Sequence, residues 1–167
     1  MDPELRFCEV RFDRAARRLE GTVVEWSDRA TIAGLFTEQI QRGALDLSDV
    51  TMTLQHDRSK ALARTAGGGL ELRDDATGLY LSATLPKTAL ADDALTLVEA
   101  RVLRGLSVEL HVDEERWSNG NRDRLIIRAR MPRLSLVDSP AYPRSSVELR
   151  HKLDSEKPEP VRSWLYV

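Results

Sequence analysis

The sequence is poor in cysteine, in aromatic residues and in long apolar stretches. Cys8 is the single cysteine among 167 residues, so the chain forms no internal disulfide and offers no cysteine cluster for zinc. No apolar run approaches the roughly 18–20 residues that a membrane-spanning helix requires. The N-terminus lacks the apolar segment of a signal peptide. These absences predict a soluble intracellular protein without a membrane partner.

Neither sign of charge dominates the chain. It has 27 acidic and 25 basic residues, a net charge of −2, and the two signs are mixed along its length. A nucleic-acid-binding domain would carry a clustered basic surface, so we predict no nucleic-acid partner. Apolar residues make up 41% of the chain, which is enough for a packed core, and the length fits one domain.

Alternation of apolar and polar residues, which is typical of half-buried strands, recurs through most of the sequence. It predicts an N-terminal hairpin, a second hairpin around Asp74–Gly78, and a strand at 106–112 that is followed by a polar loop. Asn119-Gly120 marks a turn in that loop. The alternating segments are 5–12, 19–26, 49–56, 70–85, 106–112, 124–130 and 133–137.

Two segments have helical spacing instead. The segment 88–103 begins after a good N-cap residue, Thr88, and Gly105 fits the left-handed position after its end. Its apolar stripe comprises Leu90, Ala94, Leu97, Val98 and Val102. The segment 34–45 predicts a short helix.

The predicted fold class is therefore α+β, with a mostly antiparallel, β-barrel-like core, one main helix and one or two short helices. The predicted domain spans residues 1–149. The remainder, 150–167, is charged and contains proline, which predicts a flexible tail.

Few residues can supply chemistry near neutral pH. The histidines are His56, His111 and His151, and the first two lie in or beside predicted strands. Ser107 alternates with core positions and shares a face with Glu109 and His111. A serine needs a base within hydrogen-bonding reach, and His56 could supply it from another strand.

Other chemistries fit the sequence less well. Glu109 stands where a nucleophile elbow requires its second glycine, which disfavours an α/β-hydrolase. Glu109 and His111 have usable metal-ligand spacing, and His56-Asp57 could join them, but no further ligand is evident. We therefore predict no metal and no cofactor.

An ordered series of segments resembles the phage prohead proteases, whose fold is related to that of the herpesvirus capsid-assembly proteases. No one segment is diagnostic, but their order over about residues 20–145 is specific. They are GTVV at 21–24, FTEQI at 36–40, GAL at 43–45, LQHD at 54–57, LART at 62–65, GL at 69–70, GL at 78–79, ATLP at 83–86, GLSV at 105–108, and LSLVD at 134–138 with Pro140-Ala141.

The resemblance implies that Ser107 is the catalytic serine and His56 the catalytic histidine of a serine endopeptidase. It implies cleavage of scaffold, of the major capsid protein and of the protease itself, inside the phage procapsid in the host cytoplasm. The portal is a further possible partner, and the herpesvirus relatives suggest a dimer.

The sequence departs from the family pattern at Arg133, where an acidic residue often completes the triad. An arginine cannot accept a hydrogen bond from an imidazole. Our leading substitute is Glu109, with His111 as the alternative. Glu148 and Asp138 are further candidates. Arg133 also raises the alternative that the chain is a catalytically inactive scaffolding or structural protein of the capsid.

Overall fold

The computed structural model describes residues 13–32 and 34–138, together with the backbone of residues 11–12 and 147–151. Within these ranges the chain forms twelve β-strands and one α-helix. They are β1 (Arg11–Asp13), β2 (Arg18–Glu25), β3 (Ala30–Ile32), β4 (Phe36–Ile40), β5 (Leu45–Asp46), β6 (Thr51–Leu54), β7 (Asp57–Arg64), β8 (Leu70–Asp74), β9 (Gly78–Thr84), α1 (Ala89–Glu99), β10 (Gly105–Ser118), β11 (Asp123–Val137) and β12 (Val147–His151).

The smaller sheet contains both predicted hairpins. Its strand order is β1-β2-β9-β8 and all its pairs are antiparallel. Gly78 allows β9 to approach β2 closely, because a Cβ atom there would lie 2.4 Å from the carbonyl oxygen of Val24. Residues 1–10, including Cys8, lie outside the described ranges.

The larger sheet is built on the long antiparallel ribbon of β10 and β11. Asn119 and Gly120, with φ of 52° and 62°, turn the chain between the two strands, as the sequence predicted. The free edge of β11 pairs in succession with three parallel strands, β4, β5 and β6. β3 extends the sheet from β4, β7 from β6, and β12 pairs in parallel with β10.

The ribbon corrects two sequence-based boundaries. Residues 113–118, predicted as loop, continue β10 up to Ser118. The two predicted strands at 124–130 and 133–137 are one strand, β11. The pairing changes register between Glu109↔Arg133 and His111↔Arg130, which leaves Pro132 in a bulge. A proline is tolerated there because a bulge residue need not donate to the ladder.

The helix α1 confirms the predicted N-cap and corrects the predicted end. The Thr88 side chain accepts a hydrogen bond from the Ala91 backbone N–H at 3.2 Å. The helix ends at Glu99, Arg101 takes the left-handed conformation with φ 57°, and Gly105 begins β10. The buried residues are Ala91, Ala94, Leu95 and Val98, whereas Val102 is exposed.

The predicted short helix at 34–45 is wrong, because this segment contains the strand β4. Phe36, Glu38 and Ile40 are all buried on one face of β4. A glutamate at the central core position hid the period-two pattern and left Phe36 and Ile40 at helical spacing. The one short helical segment in the described residues is a single 3₁₀ turn at Thr65–Gly67.

One core joins the apolar faces of both sheets and α1. Representative members are Leu19, Leu81, Leu95, Leu106 and Leu134. Across the described residues the sheets do not close into a barrel, so the barrel-like part of the prediction is not confirmed. The predicted mostly-β architecture with one main helix is confirmed.

The predicted tail is described only where Arg150 and His151 belong to β12; residues 152–167, like Pro140 and Pro143, lie outside the described ranges. In the described ranges, no helix is long and apolar enough to span a bilayer.

Candidate active site

Ser107 lies in a row of buried hydroxyl side chains that crosses three strands. It stands opposite Ser135 of β11, which in turn stands opposite Thr53 of β6. The Thr53 and Ser135 hydroxyl oxygens are 2.7 Å apart, so their side chains point to the same face. Ser107 is 0% exposed. Its neighbours Leu106 and Val108 pack into the core on the opposite face.

His56 lies in the two-residue turn between β6 and β7. Gln55 and His56 have φ of 51° and 59°, the pair of positive angles that defines a type I′ hairpin. Such angles cost roughly 1–2 kcal/mol for residues other than glycine. The Gln55 N–H donates to the Leu136 carbonyl at 2.9 Å, and Gln55 Oε1 accepts from the Asp138 N–H at 3.2 Å. Both bonds fix the turn to the end of β11.

The ladder relates His56 to Ser107. Leu54, two residues before His56, pairs with Leu136, which pairs with Leu106. Thr53 shares the row of Ser107, so His56 leaves β6 three residues past that row, at a lateral separation of two strand spacings, or roughly 10 Å. The imidazole must therefore reach back along β6 as well as across Ser135 to meet Ser107. The Nε2 atom of His56 is buried.

The neighbouring Asp57 makes its hydrogen bonds within the start of β7. Its Oδ1 accepts hydrogen bonds from the Ser59 backbone N–H at 2.9 Å and from the Ser59 hydroxyl at 2.6 Å. These bonds, the hydroxyl first, lower the pKa of the Asp57 carboxyl. This arrangement stabilises the start of β7 and disfavours Asp57 as the acid that orients His56.

Glu109 is the hub of a charged group that we term the cleft cluster, formed by Arg58, Glu109, His111 and Arg133. Three of its nitrogens converge on Glu109 Oε1: Arg58 Nη2 at 3.2 Å, His111 Nε2 at 3.5 Å and Arg133 Nη1 at 3.7 Å. Arg133 is also the cross-strand partner of Glu109. The two leading candidates for third member are thus in contact with each other.

The cleft cluster borders an open cleft of about 380 Å³. The cleft lies along the Glu109 face of the ribbon, on both sides of the bulge at Pro132. Its lining includes Arg130, Asp46 and Asp49 as well as the whole cluster, whereas Ser107 and His56 are not lining residues. The cleft therefore begins at Glu109, the next residue after Ser107 on the same face of β10.

The remaining candidates lie at the ends of the site. The Asp138 backbone contacts Gln55 in the turn that carries His56. Glu148 pairs with Ser107 in the parallel β10–β12 ladder, and His151 pairs with Leu110. Within the described residues no group of three or more potential ligand side chains is arranged to hold a metal ion.

Sequence reasoning missed Gln55 and Arg58, which position the turn and Glu109. Gln55 precedes His56, so its place at a turn could be read from the two strands on either side. Arg58 reaches Glu109 only because β7 folds back beside β6, and no local signal reports that contact.

The comparisons with known proteins give a match at the level of a sequence family. Neither a curated protein nor a solved structure matches the chain. The sequence model of a viral peptidase family matches residues 7–158, which is most of the 167-residue chain. Membership implies a serine protease of capsid maturation that acts inside the procapsid on capsid and scaffold proteins. The chain belongs to the caudovirus prohead serine protease family.

Proposed function

We propose that this chain is an active serine endopeptidase that cleaves scaffold and the major capsid protein, and itself, during procapsid maturation, with Ser107 as nucleophile and His56 as base. The observation that carries the assignment is the strained turn of His56, fixed by Gln55 to the strand beside Ser107. Left-handed backbone at residues other than glycine persists where surrounding contacts enforce it, and it concentrates at functional sites.

The chemistry is acyl transfer. The Ser107 Oγ attacks the carbonyl carbon of the scissile peptide while His56 takes the hydroxyl proton. His56 then gives that proton to the leaving amine as the C–N bond breaks, which leaves an ester on Ser107. Water, deprotonated by His56, hydrolyses the ester and restores the serine.

We propose Glu109 as the third member, because it shares a face with Ser107 and its Oε2 atom carries none of the three contacts that converge on Oε1. Glu109 shares a row of the sheet with Thr51, which is three residues, or roughly 10 Å, from Leu54 at the end of β6. The imidazole of His56 must therefore reach back across the row of Ser107 to meet Glu109. Asp138 is the competing acid, since its N–H binds the turn of His56.

The test is co-expression of the full chain with the major capsid and scaffold proteins of the same phage, followed by mass analysis of the capsid protein. We expect a shortened capsid protein with the native chain and none with Ser107→Ala. Ser135→Ala is the matched control, because Ser135 is buried directly opposite Ser107. Glu109→Gln and Asp138→Asn then identify the acid: losing it lowers turnover on the order of 10⁴-fold.

The second candidate is a catalytically inactive member of the family that serves the capsid as a structural protein. Arg133 favours it, as does the complete burial of Ser107. This function predicts intact capsid protein in well-formed shells with both the native chain and Ser107→Ala, and no labelling of Ser107 by a fluorophosphonate reagent. That result would replace the protease proposal.

A further inference from the structure

Two arginines of the cleft cluster share one carboxylate oxygen. In the described part of the chain, the ion pairs of Arg58 and Arg133 both go to Glu109 Oε1, at 3.2 and 3.7 Å. The longer contact exceeds hydrogen-bond length, so the guanidinium of Arg133 uses few of its five donors there. Arg58 is 57% exposed and Arg133 25% exposed, which leaves donors open to the cleft.

The acidic residues across the cleft do not compensate this surplus. Asp49 pairs with Arg64 through both carboxylate oxygens at 2.7 and 2.5 Å, and that bond lowers its pKa. Asp46 accepts the Ser48 N–H at 3.0 Å and is the ladder partner of Arg130, and the hydrogen bonds from Ser48 and the charge of Arg130 lower the pKa of its carboxyl. Both carboxylates therefore have a cation of their own beside them, and a ligand carboxylate entering the cleft is directed towards Arg58 and Arg133.

The position of the pair relates it to the proposed chemistry. Glu109 and Arg133 lie two residues along the strands from Ser107 and Ser135, roughly 7 Å at 3.3–3.4 Å per residue. An extended substrate that lies along this face with its scissile carbonyl at Ser107 would bring a side chain one or two residues away to the arginines. Arginine binds carboxylates in a planar, bidentate geometry.

We propose that Arg58 and Arg133 form a substrate-recognition site for an acidic side chain, aspartate or glutamate, within about two residues of the bond that is cut. The proposal rests on the proposed peptidase function. Glu109 holds the two guanidiniums side by side, and the ligand carboxylate supplies the second negative charge that the pair lacks.

The first test measures cleavage of a randomised decapeptide library by the full native chain, with cut sites mapped by mass spectrometry. We expect Asp and Glu at one position near the cut to be enriched about tenfold over their isosteres Asn and Gln, the lower end of what a hydrogen bond to a charged group contributes. Arg133→Gln and, separately, Arg58→Gln should abolish that enrichment. The matched control is Arg128→Gln, on the same strand and paired to Glu114 outside the cleft.

The second test separates recognition from catalysis. Binding of fluorescein-labelled peptides from the library, in Asp and Asn forms, is measured by anisotropy on full-length Ser107→Ala. Tighter binding of the Asp form supports the site if Arg58→Gln and added salt both weaken it. This result supports the site even if the native chain cuts nothing, and in that case only the peptidase function fails. Equal binding of both forms, or cleavage without acidic preference, overturns the proposed recognition site. The peptidase function still stands in that case if Ser107 is labelled by the fluorophosphonate reagent.

Discussion

The β10–β11 ribbon carries two arginine–carboxylate clusters with opposite environments. At its far end Arg124 bridges Glu38 and Glu115, a group that we term the distal cluster. The Arg124 and Glu38 side chains are 8% and 0% exposed and 2.9 Å apart. Arg124 also stacks over Trp117, which packs edge-on against Phe36. The cleft cluster near Ser107 is open to solvent and has two arginines on one carboxylate.

The difference shows how one motif serves two purposes. In the distal cluster the arginine is enclosed by its partners and an aromatic ring, so its charge is satisfied within the fold and holds β4 against the ribbon. In the cleft cluster the two guanidiniums are partly exposed and share one carboxylate oxygen, so they direct few of their N–H donors to it. An enclosed cluster contributes to stability, whereas an open one with surplus charge can bind a ligand.

The largest expected effect comes from breaking the distal cluster. Arg124→Met leaves the buried Glu38 carboxylate without the guanidinium that it contacts, and should lower the free energy of unfolding by about 3–5 kcal/mol. Urea denaturation of purified full-length protein measures it. Arg128→Met, which removes an exposed arginine from the same strand, should change stability by less than about 1 kcal/mol. Similar losses for the two variants would show that the distal cluster has no special structural role.

A smaller effect is expected when the hub of the cleft cluster loses its charge. Glu109→Gln should lower the free energy of unfolding by less than about 1 kcal/mol, because its arginine partners are solvated. The same urea titration gives this value, and Arg124→Met is its internal reference. A loss as large as that of Arg124→Met would mean that the cleft cluster holds the fold together, which contradicts its assignment as a ligand site.

The smallest effect concerns the acidic wall of the cleft. The hydrogen bond from Arg64 keeps the pKa of Asp49 below that of an ordinary aspartate, about 3.9. The stability that this bond contributes is therefore present above that pH and is lost as the pH falls through the lower pKa of the folded state. The urea midpoint of native protein should therefore approach that of Asp49→Asn between about pH 5 and pH 2. Asp93→Asn, an exposed change on α1, is the control. A constant difference between native and Asp49→Asn would show that Asp49 gains nothing from Arg64.

The sequence predicted the elements whose signals are local. The Thr88 cap, the Asn119-Gly120 turn and the hairpins of the smaller sheet each depend on a few neighbouring residues. The errors arose where a distant partner changes the meaning of a residue. Glu38 occupies a core position because Arg124 neutralises it from another strand, and this hid β4. Residues 113–118 are polar except for Trp117, yet Glu115 and Trp117 both contact that same arginine, and the strand continues.

The candidate site divides in the same way. The sequence by itself determined the order of segments, the alternation that sets Ser107 and Glu109 on one face, and the family to which they point. Only the tertiary structure decided that Ser107 is buried beside Ser135, that Gln55 ties the turn of His56 to β11, and that Arg58 meets Arg133 on Glu109. These contacts join strands far apart in the chain, and their energies depend on which strands pair, a property that no local pattern encodes.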